Sequence, residues 1–228
     1  MLSVRLPLVC LAVACSPYRH LPDRWTVTAL ACADGEDACD AALAADFHLD
    51  SAGFSDEGYA ATLDALQDLH QADVGRVSDL NEDDVVRRPF RDELSQVAKA
   101  QGTDDLRQAI YNWSAEMIAG ISTETLPQDD WLAARDPATG EVVVRDRGAL
   151  SCGAELSILL VHEAAHGVAP PHVPCPDRPD DACDRHWTGA YGFEAAYAEQ
   201  RLRTCADAAT CDAASAALDY SLDSVLAD

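Results

Sequence analysis

Basic side chains are scarce in this chain of 228 residues. Only 16 Lys and Arg residues stand against 40 Asp and Glu residues, so the formal net charge at pH 7 is −24. Binding to nucleic-acid phosphates needs a basic surface, and so does adhesion to anionic lipid by charge alone. We therefore expect no nucleic-acid partner and no membrane attachment through surface charge.

Long apolar runs are also missing after the first fifteen residues. No later segment approaches the roughly 20 apolar residues that a membrane-spanning helix needs. Among the first fifteen residues, Arg5 precedes an apolar run from Leu6 to Ala14, and this order is typical of a secretory signal. We therefore expect residues 1–14 to be a signal peptide and the protein to be exported.

The end of this segment resembles the lipobox of bacterial lipoproteins. Its residues are Leu11-Ala12-Val13-Ala14-Cys15, with small residues before the Cys. The resemblance implies that Cys15 is lipidated and becomes the mature N-terminus. The protein would then be a lipoprotein on the membrane or cell surface, or periplasmic, with this anchor as its only membrane contact. An ordinary signal peptide cut nearby is the alternative.

No CxxC pair occurs among the nine Cys residues, which argues against a Cys-rich zinc cluster. An exported protein with this many Cys residues usually carries disulfides. Three close pairs would each enclose a short loop and leave Cys152 over, although sequence alone leaves the connectivity open. These pairs are Cys32/Cys39, Cys175/Cys183 and Cys205/Cys211.

The rest of the chain shows mainly helical periodicity. We interpret residues 15–50 as a lipid-anchored tether with a short disulfide-closed element, and residues 51–228 as one helical domain. Glu141–Arg145 is rich in β-branched residues and predicts a strand. The predicted fold class is therefore α+β, mainly helical. Helices are predicted from Ser55, over Asn81–Ala100 with a kink or break at Pro89, from Thr103, over Gly153–Val168, over Ala190–Arg203 and from Asp212.

The most informative segment is Leu159–Gly167, which reads LLVHEAAHG and contains the HExxH motif. Residues four apart share one face of a helix, so His162 and His166 present two imidazoles to one metal ion. Glu163 is rotated by about 100° from His162, which places it beside the metal as a general base. Zinc accepts imidazole and carboxylate ligands and leaves a position for water, so Zn²⁺ is the predicted cofactor.

From Val142 to Arg203 the sequence resembles the zincin metalloproteases. In that family an edge strand of a small sheet runs beside the HExxH helix and aligns the peptide substrate, and Val142–Arg145 is the candidate strand. The gluzincin branch takes its third zinc ligand from a Glu on a later helix. The resemblance therefore implies a zincin-like domain with Glu194 as third ligand.

Two other residues compete with Glu194 for the third position, namely His186 and, more distantly, Asp184. The metzincin pattern HExxHxxGxxH is not present, because Ala169 takes the place of its Gly. We expect His172, six residues after His166, to lie outside the ligand set. Tyr191 or His186 is a candidate donor to the oxyanion.

Together these observations predict zinc-dependent peptide-bond hydrolysis by an exported lipoprotein, with Glu163 as general base on a zinc-bound water. The predicted substrate is a peptide or protein, and the acidic surface should favour basic or neutral ones. The alternative is a non-catalytic, zincin-like surface lipoprotein that binds metal or a partner. A structural helical lipoprotein with a chance HExxH is the third possibility.

Overall fold

A computed structural model of the chain describes residues 36–80, 87–124, 126, 132–146 and 153–226. The predicted signal peptide and the residues Cys15, Cys32 and Cys152 lie outside these ranges. No helix among the described residues has both the length and the apolar character that crossing a membrane would need.

The described part of the chain is mainly helical with a small sheet, which confirms the coarse fold class. A 3₁₀ helix covers Val77–Asp79. The seven α-helices are α1 (Glu36–Asp46), α2 (Asp56–Gln71), α3 (Arg88–Gln101), α4 (Leu106–Met117), α5 (Gly153–Ala165), α6 (Ala190–Thr204) and α7 (Ala208–Asp223).

Short polar side chains begin several of these helices. Ser55 accepts a hydrogen bond from the Gly58 amide at 3.1 Å, so α2 begins where it was predicted. Asp105 accepts from the Gln108 amide at 3.2 Å, so α4 begins at Leu106 rather than at Thr103. The Asp105 carboxylate caps the helix directly before its apolar stripe, and this capping sets the first residue of α4.

Pro89 stands at the beginning of α3, so the structure describes no kink at this residue. It lies in the first turn of α3, where its missing N–H has no helical partner to lose. The preceding residues 81–86 lie outside the described ranges. The proline therefore helps to start α3, and an apolar stripe of Phe90, Leu94 and Val97 then packs into the core.

The main sheet has the strand order β1-β3-β2. Strand β3 (Glu141–Val144) pairs in parallel with β1 (Gly120–Ser122) and antiparallel with β2 (Ala133–Arg135). The prediction of Val142–Arg145 as an edge strand is therefore wrong. Val142 and Val144 are buried, and this strand occupies the centre of the sheet, while β2 lies at the edge that contacts α5.

A second, two-stranded sheet lies within the proline-rich segment that was predicted as a loop. Strand β4 (Val173–Pro174) pairs antiparallel with β5 (Ala182–Cys183), and the Cys175–Cys183 disulfide closes this hairpin. The Cys205–Cys211 disulfide spans the turn between α6 and α7. Both predicted pairs are confirmed. Cys39 is also disulfide-bonded, but its predicted partner Cys32 lies outside the described residues.

Helix α5 lies at the centre of the molecule. It packs against α2, α4, α6 and α7 and against strand β2. Its apolar side chains are buried except for the partly buried Leu159, and the buried rings of Trp113 on α4 and Phe193 on α6 stack at 5.4 Å. A helix surrounded in this way holds the side chains at its C-terminal end in a fixed frame.

Candidate metal centre

The HExxH motif lies at the C-terminal end of α5. His162 and Glu163 belong to the last turn, and His166 follows directly after the helix ends at Ala165. The side chains of His162 and Glu163 are buried, with 5 % and 3 % of their surface exposed. The ring centroids of His162 and His166 are 5.0 Å apart, as expected for residues one helical turn apart.

His172 completes a group of three imidazoles. Each of His162, His166 and His172 offers a nitrogen atom that lies within 4.8 Å of those of the other two. The Nε2 atoms of His162 and His172 are 3.2 Å apart. In the described part of the chain, this is the one group of His, Cys, Asp or Glu residues with the spacing of metal ligands.

The expectation that His172 lies outside the site is therefore wrong. Its spacing from His166 predicts a geometry unsuited to a ligand, but α5 ends at Ala165 and the chain then turns. The amides of Val168 and Ala169 bond back to the Ala165 carbonyl, so the chain reverses there. The reversal brings His172 beside the other two rings, and the sequence signal that was undervalued is a third His so soon after HExxH.

Asp184 lies behind His172 and does not belong to the imidazole group. Its Oδ1 is 2.7 Å from Nδ1 of His172, and its Oδ2 accepts a hydrogen bond of 2.7 Å from the Tyr191 amide. Only 2 % of the Asp184 surface is exposed. A carboxylate in this position orients an imidazole and supports its other nitrogen as a metal ligand.

Glu194, the predicted third ligand, lies on the far side of His162. Its Oε2 is 2.6 Å from Nδ1 of that ring, a contact with the distance of a hydrogen bond but not its angles. The structure thus places Glu194 next to an imidazole and outside the three-nitrogen group. Burial raises the pKa of Glu194 to about 8, although a hydrogen bond with Ser221 acts in the opposite direction.

His186 is exposed and is not part of the group. It lies between β5 and α6, and its carbonyl accepts a hydrogen bond from the amide of Gly189, the N-cap residue of α6, at 3.0 Å. Asp184 and Glu194 each contact one of the three imidazoles, whereas the described contacts include none between His186 and that group.

Glu163 is directed towards strand β2. Its carboxylate interacts with the backbone N–H of Arg135, while its Oε2 is buried and has no hydrogen-bond partner among the described residues. The pKa of Glu163 is raised to about 8, mainly by burial and then by the Glu194 carboxylate. A buried carboxylate with one free oxygen is suited to accept a proton from a small molecule beside it.

Two of the three imidazoles are held in the neutral form. Burial lowers the pKa of His162 to about 3, and the neighbouring His172 contributes to this shift. Burial likewise lowers the pKa of His166 to about 3, with further contributions from the other two imidazoles. Neutral imidazole is the form that binds a metal ion, so this cluster is ready to do so at neutral pH.

The ring of Tyr191 lies against the imidazoles. Its centroid is 4.6 Å from that of His162 and 4.8 Å from that of His172, on which it is stacked. Burial and the neighbouring Tyr220 raise the pKa of the Tyr191 phenol. The phenol therefore stays protonated, and the ring packs as one side of the site.

No protein-family model, curated protein or solved structure matches this chain. The functional argument therefore rests on the residues of the chain itself and on the chemistry that they bring together.

Proposed function

We propose that the protein is a zinc-dependent hydrolase of peptide bonds, in which His162, His166 and His172 hold the zinc ion. The observation that carries the proposal is the three-imidazole group at the end of α5, with Glu163 beside it. The HExxH spacing and its resemblance to the zincins support the same conclusion.

The geometry and charge of the group fit zinc. Two nitrogens bound to one tetrahedral zinc at about 2.0–2.1 Å lie about 3.3–3.4 Å from each other. The Nε2 atoms of His162 and His172 are 3.2 Å apart. The raised pKa values of Glu163 and Glu194 show that negative charge is disfavoured here in the absence of a cation, and a nearby cation removes that penalty.

The chemistry that zinc supplies when bound is polarisation of a carbonyl and acidification of water. Glu163 supplies the base. Its unpartnered Oε2 accepts the proton of the attacking water and then passes it to the leaving amine, while the Arg135 amide holds the carboxylate in place. Each of these two steps moves one proton, so Glu163 is a carboxylate again at the end of the cycle.

Strand β2 supports a peptide as the substrate. Leu132 accepts from the Arg145 amide and Asp136 donates to the Glu141 carbonyl, so the backbone groups of Ala133 and Arg135 alternate with these and point away from β3. The Arg135 amide already contacts Glu163, which leaves the Ala133 backbone and the Arg135 carbonyl as the groups with which an extended peptide would pair. The strand lies beside α5, so a peptide bound there passes the imidazole group.

We further propose that the protein is an exported lipoprotein anchored at Cys15. The disulfides of the described residues are compatible with export, because such bonds persist in oxidising compartments. The signal segment and the lipobox-like residues are the sequence features that support the anchor.

Metal content tests the proposal at its first step. We expect the purified, oxidised protein to carry about one zinc ion per chain, because three imidazoles complete a catalytic zinc site. Digestion of a mixed peptide library should stop after treatment with a chelator and resume on addition of Zn²⁺. A protein that cannot be loaded with zinc contradicts the proposal. Zinc without peptide cleavage under any condition would favour the non-catalytic metal-binding alternative.

The Cys175–Cys183 disulfide should affect zinc binding, because it closes the hairpin between His172 and Asp184. The Cys205–Cys211 disulfide encloses a loop of similar length away from the imidazoles. Because the two loops are similar in length, the loss of either disulfide should cost about 2–3 kcal/mol of stability in the chain-entropy model. We expect the double Ser variant of the first pair to bind zinc about tenfold more weakly, within the range for outer-shell changes. The matched variant of the second pair should keep its zinc affinity. Equal zinc affinities in a chelator competition would contradict this prediction.

A further inference from the structure

We infer that Asp184 is the positioning residue of the metal centre, because it holds His172 and the N-terminus of α6 in one arrangement. The inference rests on the proposed zinc site. Asp184 does not belong to the imidazole group, and it lies 12 residues beyond His172, which it contacts.

Both carboxylate oxygens of Asp184 are in use. Oδ1 lies 2.7 Å from Nδ1 of His172, and Oδ2 accepts the 2.7 Å hydrogen bond from the Tyr191 amide. Since a carboxylate only accepts hydrogen bonds, Nδ1 of His172 must carry the proton. In the neutral imidazole Nε2 then keeps its lone pair, and this is the atom that lies 3.2 Å from Nε2 of His162. Asp184 therefore selects the metal-binding tautomer.

The backbone around Asp184 is held on its other side by the end of the chain. The Asp184 amide donates to the Ser224 carbonyl at 2.8 Å, and its carbonyl accepts from the Leu226 amide at 2.8 Å. These two bonds form a parallel bridge between Asp184 and Val225. The residue also follows directly after Cys183, whose disulfide closes the hairpin. The backbone that carries the carboxylate is thus held through both of its peptide groups and through the neighbouring disulfide.

Gly189 leaves the space that this carboxylate occupies. It is the N-cap residue of α6 and has no side chain to cap the helix, so Asp184 supplies the capping oxygen to the Tyr191 amide. The φ of Gly189 is −82°, which any residue adopts, so its backbone does not require glycine. A Cβ at this position would instead overlap the carboxylate of Asp184. Glycine at position 189 therefore leaves room for the Asp184 carboxylate to bond the Tyr191 amide.

The contact between Glu194 and His162 differs from this one. It has a short distance but lacks the angles of a hydrogen bond. Of these two carboxylate–imidazole contacts, only that of Asp184 is directed at its ring nitrogen with hydrogen-bond geometry. The positioning role is therefore assigned to Asp184.

Two variants test the inference in different ways. Asp184→Asn keeps the shape but offers one acceptor oxygen to two donors, so either His172 or Tyr191 loses its partner. Gly189→Ala keeps the carboxylate and displaces it. In competition with a chromogenic chelator, we expect each variant to bind Zn²⁺ about 10–100-fold more weakly than the natural protein.

Asp68→Asn is the matched control. The Asp68 carboxylate also has two partners, Ser157 on α5 at 2.5 Å and Arg201 on α6 at 2.7 Å, and these two helices border the imidazole group. The control therefore loses a comparable contact in the same part of the fold without touching the imidazoles. We expect its zinc affinity to stay within about twofold of the natural protein.

A spectroscopic measurement on the metal-free protein separates positioning from general stability. The Nδ1–H proton of His172 should give a strongly downfield resonance because it is bonded to a buried carboxylate. The resonance should be present in the natural protein and in Asp68→Asn, and absent in Asp184→Asn and in His172→Ala. If Asp184→Asn does not fold, Gly189→Ala provides the same comparison.

The outcomes distinguish this inference from the proposed function. Unchanged zinc affinity in both variants, together with loss of zinc in His172→Ala, would overturn the role of Asp184 and leave the zinc site intact. A natural protein that binds no zinc, but still shows the downfield resonance, would overturn the proposed function, and the metal-positioning role with it, while leaving the hydrogen bond between Asp184 and His172 in place. Absence of the resonance from the natural protein would overturn the hydrogen bond on which the inference depends.

Discussion

Glu163→Gln is expected to keep its zinc and to lose peptide hydrolysis by a factor of about 10²–10⁴, the usual contribution of a general base. The amide has the shape of the carboxylate and retains an oxygen that can accept from the Arg135 amide, so the local structure should persist. It cannot take a proton from water. The measurement is the rate of peptide cleavage at saturating Zn²⁺, with zinc content determined on the same sample.

Glu116→Gln provides the matched control for this experiment. Glu116 is an exposed residue near the end of α4, and the change removes the same charge from the protein as Glu163→Gln does. We expect its cleavage rate to equal that of the natural protein. Equal cleavage by Glu163→Gln and the natural protein would show that the base lies elsewhere. Loss of zinc from Glu163→Gln would show instead that this carboxylate is part of the metal site.

The part of the site that follows a helix was predictable from the sequence. His162 and Glu163 lie in the last turn of α5 and His166 follows directly after it, so the helical repeat determines which of these side chains share a face. The same reasoning located α2 from Ser55 and α6 from Ala190. These predictions depend only on local periodicity and on capping residues, which are visible in one stretch of sequence.

The part of the site that depends on tertiary contacts was not predictable in this way. His172 reaches the imidazole group through the chain reversal after α5, and Asp184 reaches His172 through pairing of β4 with β5. Two-residue strands in a proline-rich segment have no periodicity to reveal them. The position of β3 at the centre of the sheet likewise depends on partners at a distance, because pairing order is not written in a single strand.

Three carboxylates surround the imidazoles, and their partners distinguish their roles. Asp184 is hydrogen-bonded through both oxygens, which suits a fixed orienting group. Glu163 has one unpartnered oxygen, which suits a group that exchanges protons. Glu194 is buried against His162 without hydrogen-bond angles, so its contacts assign it neither of these two roles. The sequence shows three acidic residues near three histidines, but only the contacts separate these roles.

His172→Ala is expected to lose zinc affinity by more than about 100-fold, beyond the 10–100-fold range of outer-shell changes, because it removes one of three protein ligands. Glu194→Gln keeps the shape of its side chain and leaves all three imidazoles in place, so its loss should stay within that range. His186→Ala is the matched control, because this histidine is exposed and does not contact the imidazole group among the described contacts.

The order of the three zinc affinities decides which third ligand the protein uses. Titration of each metal-free variant with Zn²⁺ against a chelator should give His186→Ala equal to the natural protein, Glu194→Gln weaker and His172→Ala weakest. In Co²⁺-loaded samples, His172→Ala should also show altered visible absorption, because the donor set has changed, while Glu194→Gln should not. The reverse order, with His172→Ala close to the natural protein and Glu194→Gln without metal, would restore the gluzincin-like ligand set. In that case the imidazole of His172 would be held beside the site by Asp184 for packing with Tyr191 alone.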